Sequence, residues 1–298
     1  MRAVKRTPLL VLAAATVALA SLGLAACTPK GRYVDLVFAS ATKTTVVYKE
    51  TTDLVTGKPL DLSVDVYQPA GDTASRRPAI IWIHGGGFTS GNRGAMADVA
   101  TAYARRGYVT LSISYRLDPG LRCQELQDGS IPPDELEEVA ARCTRATTAA
   151  SNDGLSAVGW LRRHADEYRV DQKRIAIGGS SAGAVTAVNV GQRANPGGGP
   201  IPSGQSVGAV LAMSGCQYDG ASIDRYDAPV SMLASGGDSL VPYSCSVGTV
   251  RKAASFGTPT QELFYPSESW HAQGLYSRHR AEVDAAWTSF LIRQLDLA

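Results

Sequence analysis

Histidine is scarce in this sequence, with four residues in 298. The five cysteines include no Cys-x-x-Cys pair. These shortages argue against a metal centre, whose ligand sets need clustered Cys and His. Charge of one sign is also lacking. The formal net charge is +2 and no uninterrupted Lys/Arg run exceeds a pair, so nothing suggests a nucleic-acid partner. No internal repeat is visible. The richest Gly/Pro stretch, residues 195–204, reads as a loop rather than a domain linker. What remains is 44% hydrophobic and 19% charged, suited to one sizeable globular domain.

The chain opens on a targeting segment. Arg2, Lys5 and Arg6 supply a positive n-region, and residues 9–24 are rich in Ala and Leu but short for a membrane span. Leu24-Ala25-Ala26-Cys27 resembles a bacterial lipobox. The resemblance implies a signal peptide over residues 1–26, cleavage before Cys27 and lipidation there. The product would be exported to the cell envelope and anchored to the outer side of the membrane. An ordinary secretory cleavage site with an incidental cysteine is the alternative. Residues 27–43 would be an N-terminal tether and residues 44–298 the folded domain. Export also changes the meaning of Cys123, Cys143, Cys216 and Cys245. An even count in an oxidising compartment suggests two disulfides, with three pairings open. Cys123–Cys143 and Cys216–Cys245 are favoured, because each joins segments that the topology below brings together.

From residue 44 onward, strand and helix signals alternate. Residues 44–49 and 62–68 form an antiparallel opening pair, with Leu62, Val64 and Val66 alternating with Asp61, Ser63 and Asp65. Residues 79–83, 108–114, 174–178, 207–213 and 230–235 read as buried strands and 261–265 as an edge strand. Residues 96–106 are helix-prone, with Gly107 suited to the C-terminal stop. Leu155, Val158, Leu161 and Ala165 share one helical face, with Asn152 or Asp153 as its cap. Val283, Trp287, Phe290, Leu291 and Leu295 mark a closing helix. The expected fold class is α/β: about eight strands in a mostly parallel sheet with helices on both faces. Residues 119–150 are a long polar insertion.

Ligands of such a sheet bind beyond the carboxyl ends of its strands, so chemistry should follow strands directly. After 79–83 comes His84-Gly85-Gly86-Gly87-Phe88. After 174–178 comes Gly179-Ser180-Ser181-Ala182-Gly183, a G-x-S-x-G pentapeptide between a buried strand and a helix-forming run of small residues. That context is what a nucleophile elbow needs, with Ser181 in a strained turn. After 230–235 comes Asp238, and after 261–265 comes His271.

The HGGGF and GSSAG motifs, with Asp238 and His271 in this order, resemble the α/β-hydrolase superfamily and within it the hormone-sensitive-lipase-like carboxylesterases. The resemblance implies ester hydrolysis of a small-molecule substrate without metal or organic cofactor. It casts Ser181 as nucleophile, His271 as base and Asp238 as the acid that orients it. The backbone amides of Gly86, Gly87 and Ala182 form the oxyanion hole. His84 anchors the glycine loop. Phe88 and Trp270, beside catalytic positions, are candidate pocket residues. The rivals are weaker: Asp227 precedes its strand, Ser180 lacks a glycine two residues on, and His164 and His279 read as exposed helix histidines. The insertion 119–150, expected over the active-site edge, is not part of the family pattern, and the N-terminal helical cap of many relatives has no counterpart. The leading expectation is an esterase for short acyl esters, such as acetylated carbohydrate or xenobiotic esters. A serine peptidase on the same fold and a non-catalytic envelope binding lipoprotein are the alternatives.

Overall fold

The computed structural model describes residues 31–192 and 204–297. The targeting segment, Cys27 and all of the 195–204 loop except Gly204 lie outside the described residues.

Two long strands, β1 (Ala41–Thr52) and β2 (Pro59–Pro69), form the antiparallel opening pair. Val64 and Val66 of β2 face the core, while Asp65 between them is buried and takes bonds from Thr45 and Arg93. Then come β3 (Arg77–Ile83), α1 (Ala97–Arg105), β4 (Val109–Ile113), α2 (Cys123–Asp128) and α3 (Leu136–Arg163). β5 (Val170–Ser180), α4 (Ala182–Gly191), β6 (Ala209–Met213), β7 (Val230–Ser235) and α5 (Tyr243–Ser255) follow. The chain closes with β8 (Thr260–Tyr265), α6 (Gln273–Arg278) and α7 (Arg280–Gln294).

The eight strands make one sheet in the order β1-β2-β4-β3-β5-β6-β7-β8, parallel from β4 to β8. The centre of the sheet is covered on both faces, so its strands are apolar runs rather than alternating ones. β3 shows the division of labour. Ile81 and Ile83 join Ile177, Val188 and Val158 in one core, under α3, α4 and α5. Ile80 and Trp82 join Leu211, Tyr103 and Trp287 in the other, under α1, α6 and α7. The period of two along each strand feeds both cores at once.

The main departure from the sequence reading lies in residues 119–150. Only the first part is an excursion. From Leu136 onward the chain is already α3, a 28-residue helix. Neither Asn152 nor Asp153 caps it. Asp153 lies mid-helix and fully buried, where its carboxylate takes Lys49 Nζ at 2.6 Å and Arg116 Nη2 at 2.9 Å. A residue type that favours helix starts is tolerated in the interior because two cations and the Arg116 amide satisfy it. The same ties hold the helix against β1 and the chain beyond β4.

Residues just before β1, assigned to the tether, dock onto the domain. Tyr33 N donates to Arg106 O at 2.7 Å, Phe38 N to Arg105 O at 3.0 Å, and Arg32 pairs with Asp72. Both favoured cysteine pairs are joined: Cys123–Cys143 with Cα atoms 5.7 Å apart, and Cys216–Cys245 at 5.6 Å.

Candidate active site

Ser181 stands between β5 and α4 with φ 55° and ψ −123°, a backbone conformation rarely held by a residue with a side chain. Its amide is fixed by Met213 O at 2.8 Å. The turn is tight because α4 starts directly against β3. A Cβ on Gly183 would sit 2.1 Å from Ile83 O, so only glycine lets the helix approach. Serine 181 is thus presented at the strand tip, ahead of a helix N-terminus, with no hydrogen-bond partner for Oγ among the described residues. Ser180, the rival, is the last residue of β5 and 4% exposed.

The acid and the base come from neighbouring strands. β7 ends before Gly236-Gly237-Asp238 and β8 before the loop that carries His271. His271 Nδ1 lies 2.7 Å from Asp238 Oδ2 and 2.9 Å from Oδ1. The carboxylate also accepts from the amides of Leu240 at 2.9 Å and Val241 at 3.0 Å. Burial acts to raise the Asp238 pKa, but His271, these two amides and the Ser214 hydroxyl outweigh it and hold the group below the usual carboxylate range. The other ring nitrogen, Nε2, is buried and has no hydrogen-bond partner among the described residues.

The glycine loop runs alongside. Gly86 has φ 119°, and a Cβ there would lie 2.2 Å from Ser90 O, so the turn admits no other residue. The amides of Gly86, Gly87 and Ala182 donate to no group among the described residues, and all three residues line the cleft that holds Ser181 and His271. His84 sets the loop from beneath. Its Nδ1 lies 2.8 Å from Gly85 O, and its ring stacks on Tyr115, whose hydroxyl donates to His84 O. Burial pushes the His84 pKa down against the opposing effect of the Gly85 bond, and Nδ1, facing a carbonyl oxygen, is the donor in that bond.

The cleft has a volume of about 670 Å³. It is lined by Phe88, Leu240 and Val241 and by the excursion before α3, with Leu121, Arg122, Gln124, Glu125 and Gln127. Gln127 Nε2 donates across the mouth to Tyr218 Oη at 2.9 Å. Each partner sits close to a disulfide, Gln127 on the helix begun by Cys123 and Tyr218 two residues beyond Cys216.

The structure therefore brings Ser181, Asp238, His271, Gly86, Gly87, Ala182 and Phe88 together. Trp270 is a correction. It is 51% exposed, does not line the cleft, and carries the Arg278 guanidinium 5.7 Å from its ring. Neighbouring side chains diverge in a loop, so with His271 turned in, Trp270 is turned out. His279 is not an exposed bystander either: it stacks on Tyr265 and bonds Glu268 at 2.7 Å. The sequence reading set the insertion 119–150 over the active-site edge, and its first part does line the cleft; it missed Tyr218 and Ser214. Ser214 directly follows a strand, so the rule that found the other positions pointed to it as well. No His/Cys/Asp/Glu group suited to a metal is present among the described residues.

Comparison with known proteins gives the class of fold. A family model described as alpha/beta hydrolase fold matches residues 143–231, and a second, BD-FAE, matches residues 64–123. The solved structure of a thermophilic esterase from Thermogutta terrifontis superposes with a TM-score of 0.61 at 19% identity, over 84% of this chain and 91% of that one. The same esterase phosphorylated by paraoxon gives 0.61 over 84% and 94%. The fold is the α/β-hydrolase fold.

Among curated proteins, the chain is similar to Esterase LipI of Mycobacterium tuberculosis, 27% identical over 154 residues, 47% of this chain and 40% of that protein. It is also similar to an acetyl esterase of Salmonella paratyphi B, 27% identical over 129 residues, 43% of this chain and 32% of that protein. The matches span less than half the length of these relatives.

Proposed function

We propose that this protein is a serine carboxylesterase acting on short-chain acyl esters. One observation carries the reading: a histidine oriented by a buried carboxylate leaves Nε2 unbonded in the cleft that contains the strained Ser181. Ser181 Oγ attacks the ester carbonyl carbon while its proton passes to His271 Nε2, and Asp238 stabilises the imidazolium. The amides of Gly86, Gly87 and Ala182 receive the oxyanion, each such donor contributing about 3 kcal/mol in the transition state. Collapse expels the alcohol with the proton from His271. Water then attacks the acyl-enzyme by the reverse roles, releasing the acid. The sequence of steps needs no cofactor.

The cleft supports a small acyl group. The excursion that lines it contributes Arg122, Gln124, Glu125 and Gln127 and is tied down by the Cys123–Cys143 bond, so that side offers little apolar area to a long chain, where each buried methylene is worth about 0.8 kcal/mol. Acetyl to roughly hexanoyl esters are the expected range, without activation at an interface. The esterase names of the relatives agree with this direction. Anchoring through a lipidated Cys27 at the outer side of the membrane belongs to the same proposal.

The test is labelling by a fluorophosphonate serine probe together with kcat/KM along a p-nitrophenyl ester series. Ser181→Ala should abolish both labelling and turnover while the fold persists. Turnover by Ser181→Ala near the wild-type rate, or a maximum at long-chain esters with a jump at micelle formation, would overturn the nucleophile or the short-chain assignment respectively. Intact mass of membrane-extracted protein tests the anchor; an unmodified chain starting downstream of Cys27 would refute it.

A further inference from the structure

β6 ends at Met213, and the next residue, Ser214, has φ 50° and is 1% exposed. A buried serine in the left-handed region is uncommon, and holding it there needs surrounding structure. Its amide is fixed to β7 by Leu233 O at 2.8 Å. Its Oγ accepts the amide of Ala272 at 2.9 Å. Ala272 directly follows His271 and itself has φ 44°, so the turn that aims the imidazole hangs on this bond. The Ser214 hydroxyl is also among the groups that hold the Asp238 pKa down. One hydroxyl has one proton and spare lone pairs, so it can donate to the acid and accept from the backbone beside the base. Ser214 does not line the cleft.

We propose that Ser214 is a positioning residue of the hydrolytic site, joining Asp238 to the turn that carries His271. The proposal rests on the esterase reading above. Ser214 touches neither substrate nor reacting atoms and acts through the other two residues. A hydrogen bond to a charged group sets the scale, so its loss should lower kcat about ten- to a hundredfold, with KM little changed. The pH profile should move as well. Without this donor the Asp238 charge is less neutralised and holds the His271 proton more tightly. The acidic limb of kcat/KM should therefore shift to higher pH. The groups near His271 are Asp238 at Nδ1 and, in the lining of the same cleft, Tyr218, Arg122 and Glu125, the last two paired with each other. Ser214→Ala and Ser214→Gly leave all of these in place.

Ser214→Gly is the decisive variant, because glycine accepts φ 50° without strain and removes the side chain, while Ser214→Ala removes the hydroxyl alone. Measurements are kcat, KM and the pH profile for p-nitrophenyl acetate, with the proton resonance of His271 Nδ1–H as a readout independent of turnover. Expected are a lower kcat, the shifted limb and a displaced Nδ1–H resonance in both variants, with folded circular dichroism in Ser214→Gly. A folded Ser214→Gly with wild-type kcat, pH limb and resonance overturns the proposal and leaves the esterase reading standing. Wild-type protein that neither hydrolyses esters nor labels at Ser181 overturns both.

Discussion

Replacing Asp238 by asparagine is nearly isosteric, yet the geometry predicts a severe defect. Oδ1 of Asp238 accepts the amides of Leu240 at 2.9 Å and Val241 at 3.0 Å, while Oδ2 makes the shorter approach to His271 Nδ1, 2.7 Å. An asparagine must keep its carbonyl oxygen towards the two amides, since the opposite flip would set its NH2 against two N–H donors. The NH2 then faces Nδ1 and demands an acceptor there. The imidazole proton is forced to Nε2, where the ring can no longer take the proton of Ser181. A wrong tautomer of this kind lowers kcat about 10⁴-fold, or about 5.4 kcal/mol at 1.36 kcal/mol per factor of ten. Asp238 does not line the cleft, so KM should stay close to wild type. The assay is steady-state hydrolysis of p-nitrophenyl acetate by Asp238→Asn and Asp238→Ala, with circular dichroism to confirm folding. A kcat for Asp238→Asn within about tenfold of wild type would refute the tautomer argument.

Three further outcomes follow from packing and charge. Gly183→Ala would place a Cβ 2.1 Å from Ile83 O, a backbone atom that cannot step aside; stability should fall by about 1–3 kcal/mol in urea titration, and an unchanged midpoint would contradict the close approach. Asp153→Ala strands Lys49 and Arg116 beside a buried gap and should destabilise the fold by about 3–5 kcal/mol; a loss below about 1 kcal/mol would mean the network is dispensable. Asp72 is pushed up by burial, but the Arg32 guanidinium, the Ala74 amide and Arg77 outweigh this and hold its pKa below the ordinary carboxylate value. A depressed folded pKa gives stability that is present above the unfolded value and lost as pH falls through the folded one. Asp72→Asn should therefore be less stable than wild type at pH 7, with the difference shrinking as pH falls below the ordinary carboxylate range, as urea midpoints against pH would show.

The sheet was legible because its central strands are short apolar runs bounded by glycine, and because chemistry at strand ends follows from topology. Ser181 was singled out by its G-x-S-x-G turn, and Asp238 and His271 by their places after strands. Ser214 obeys the same rule and was passed over, since a lone serine carries no motif; what marks it is a positive φ and two partners, neither visible in one dimension. α3 was misjudged for a different reason. Its first half is rich in charged and polar residues and was read as part of the insertion, and Asp153 imitates a helix start. The cations that license a buried aspartate come from residues 49 and 116, distant in sequence. Trp270 illustrates the limit of adjacency: being next to a functional residue says nothing about which way a side chain turns.

The two disulfides stand on opposite sides of the cleft mouth, one behind Gln127 and the other behind Tyr218. The bonds that hold Asp238, His271 and Ser181 run to one another, to Ser214 and to backbone groups, not to a cysteine. Opening the disulfides is therefore expected to act on the rim rather than on the reactive groups. Comparing acyl-chain selectivity before and after mild reduction tests this: turnover should survive while discrimination between esters relaxes, and unchanged selectivity would show that the rim holds itself. On this view the closing of the thiols, rather than the folding of the sheet, sets the final shape of the rim.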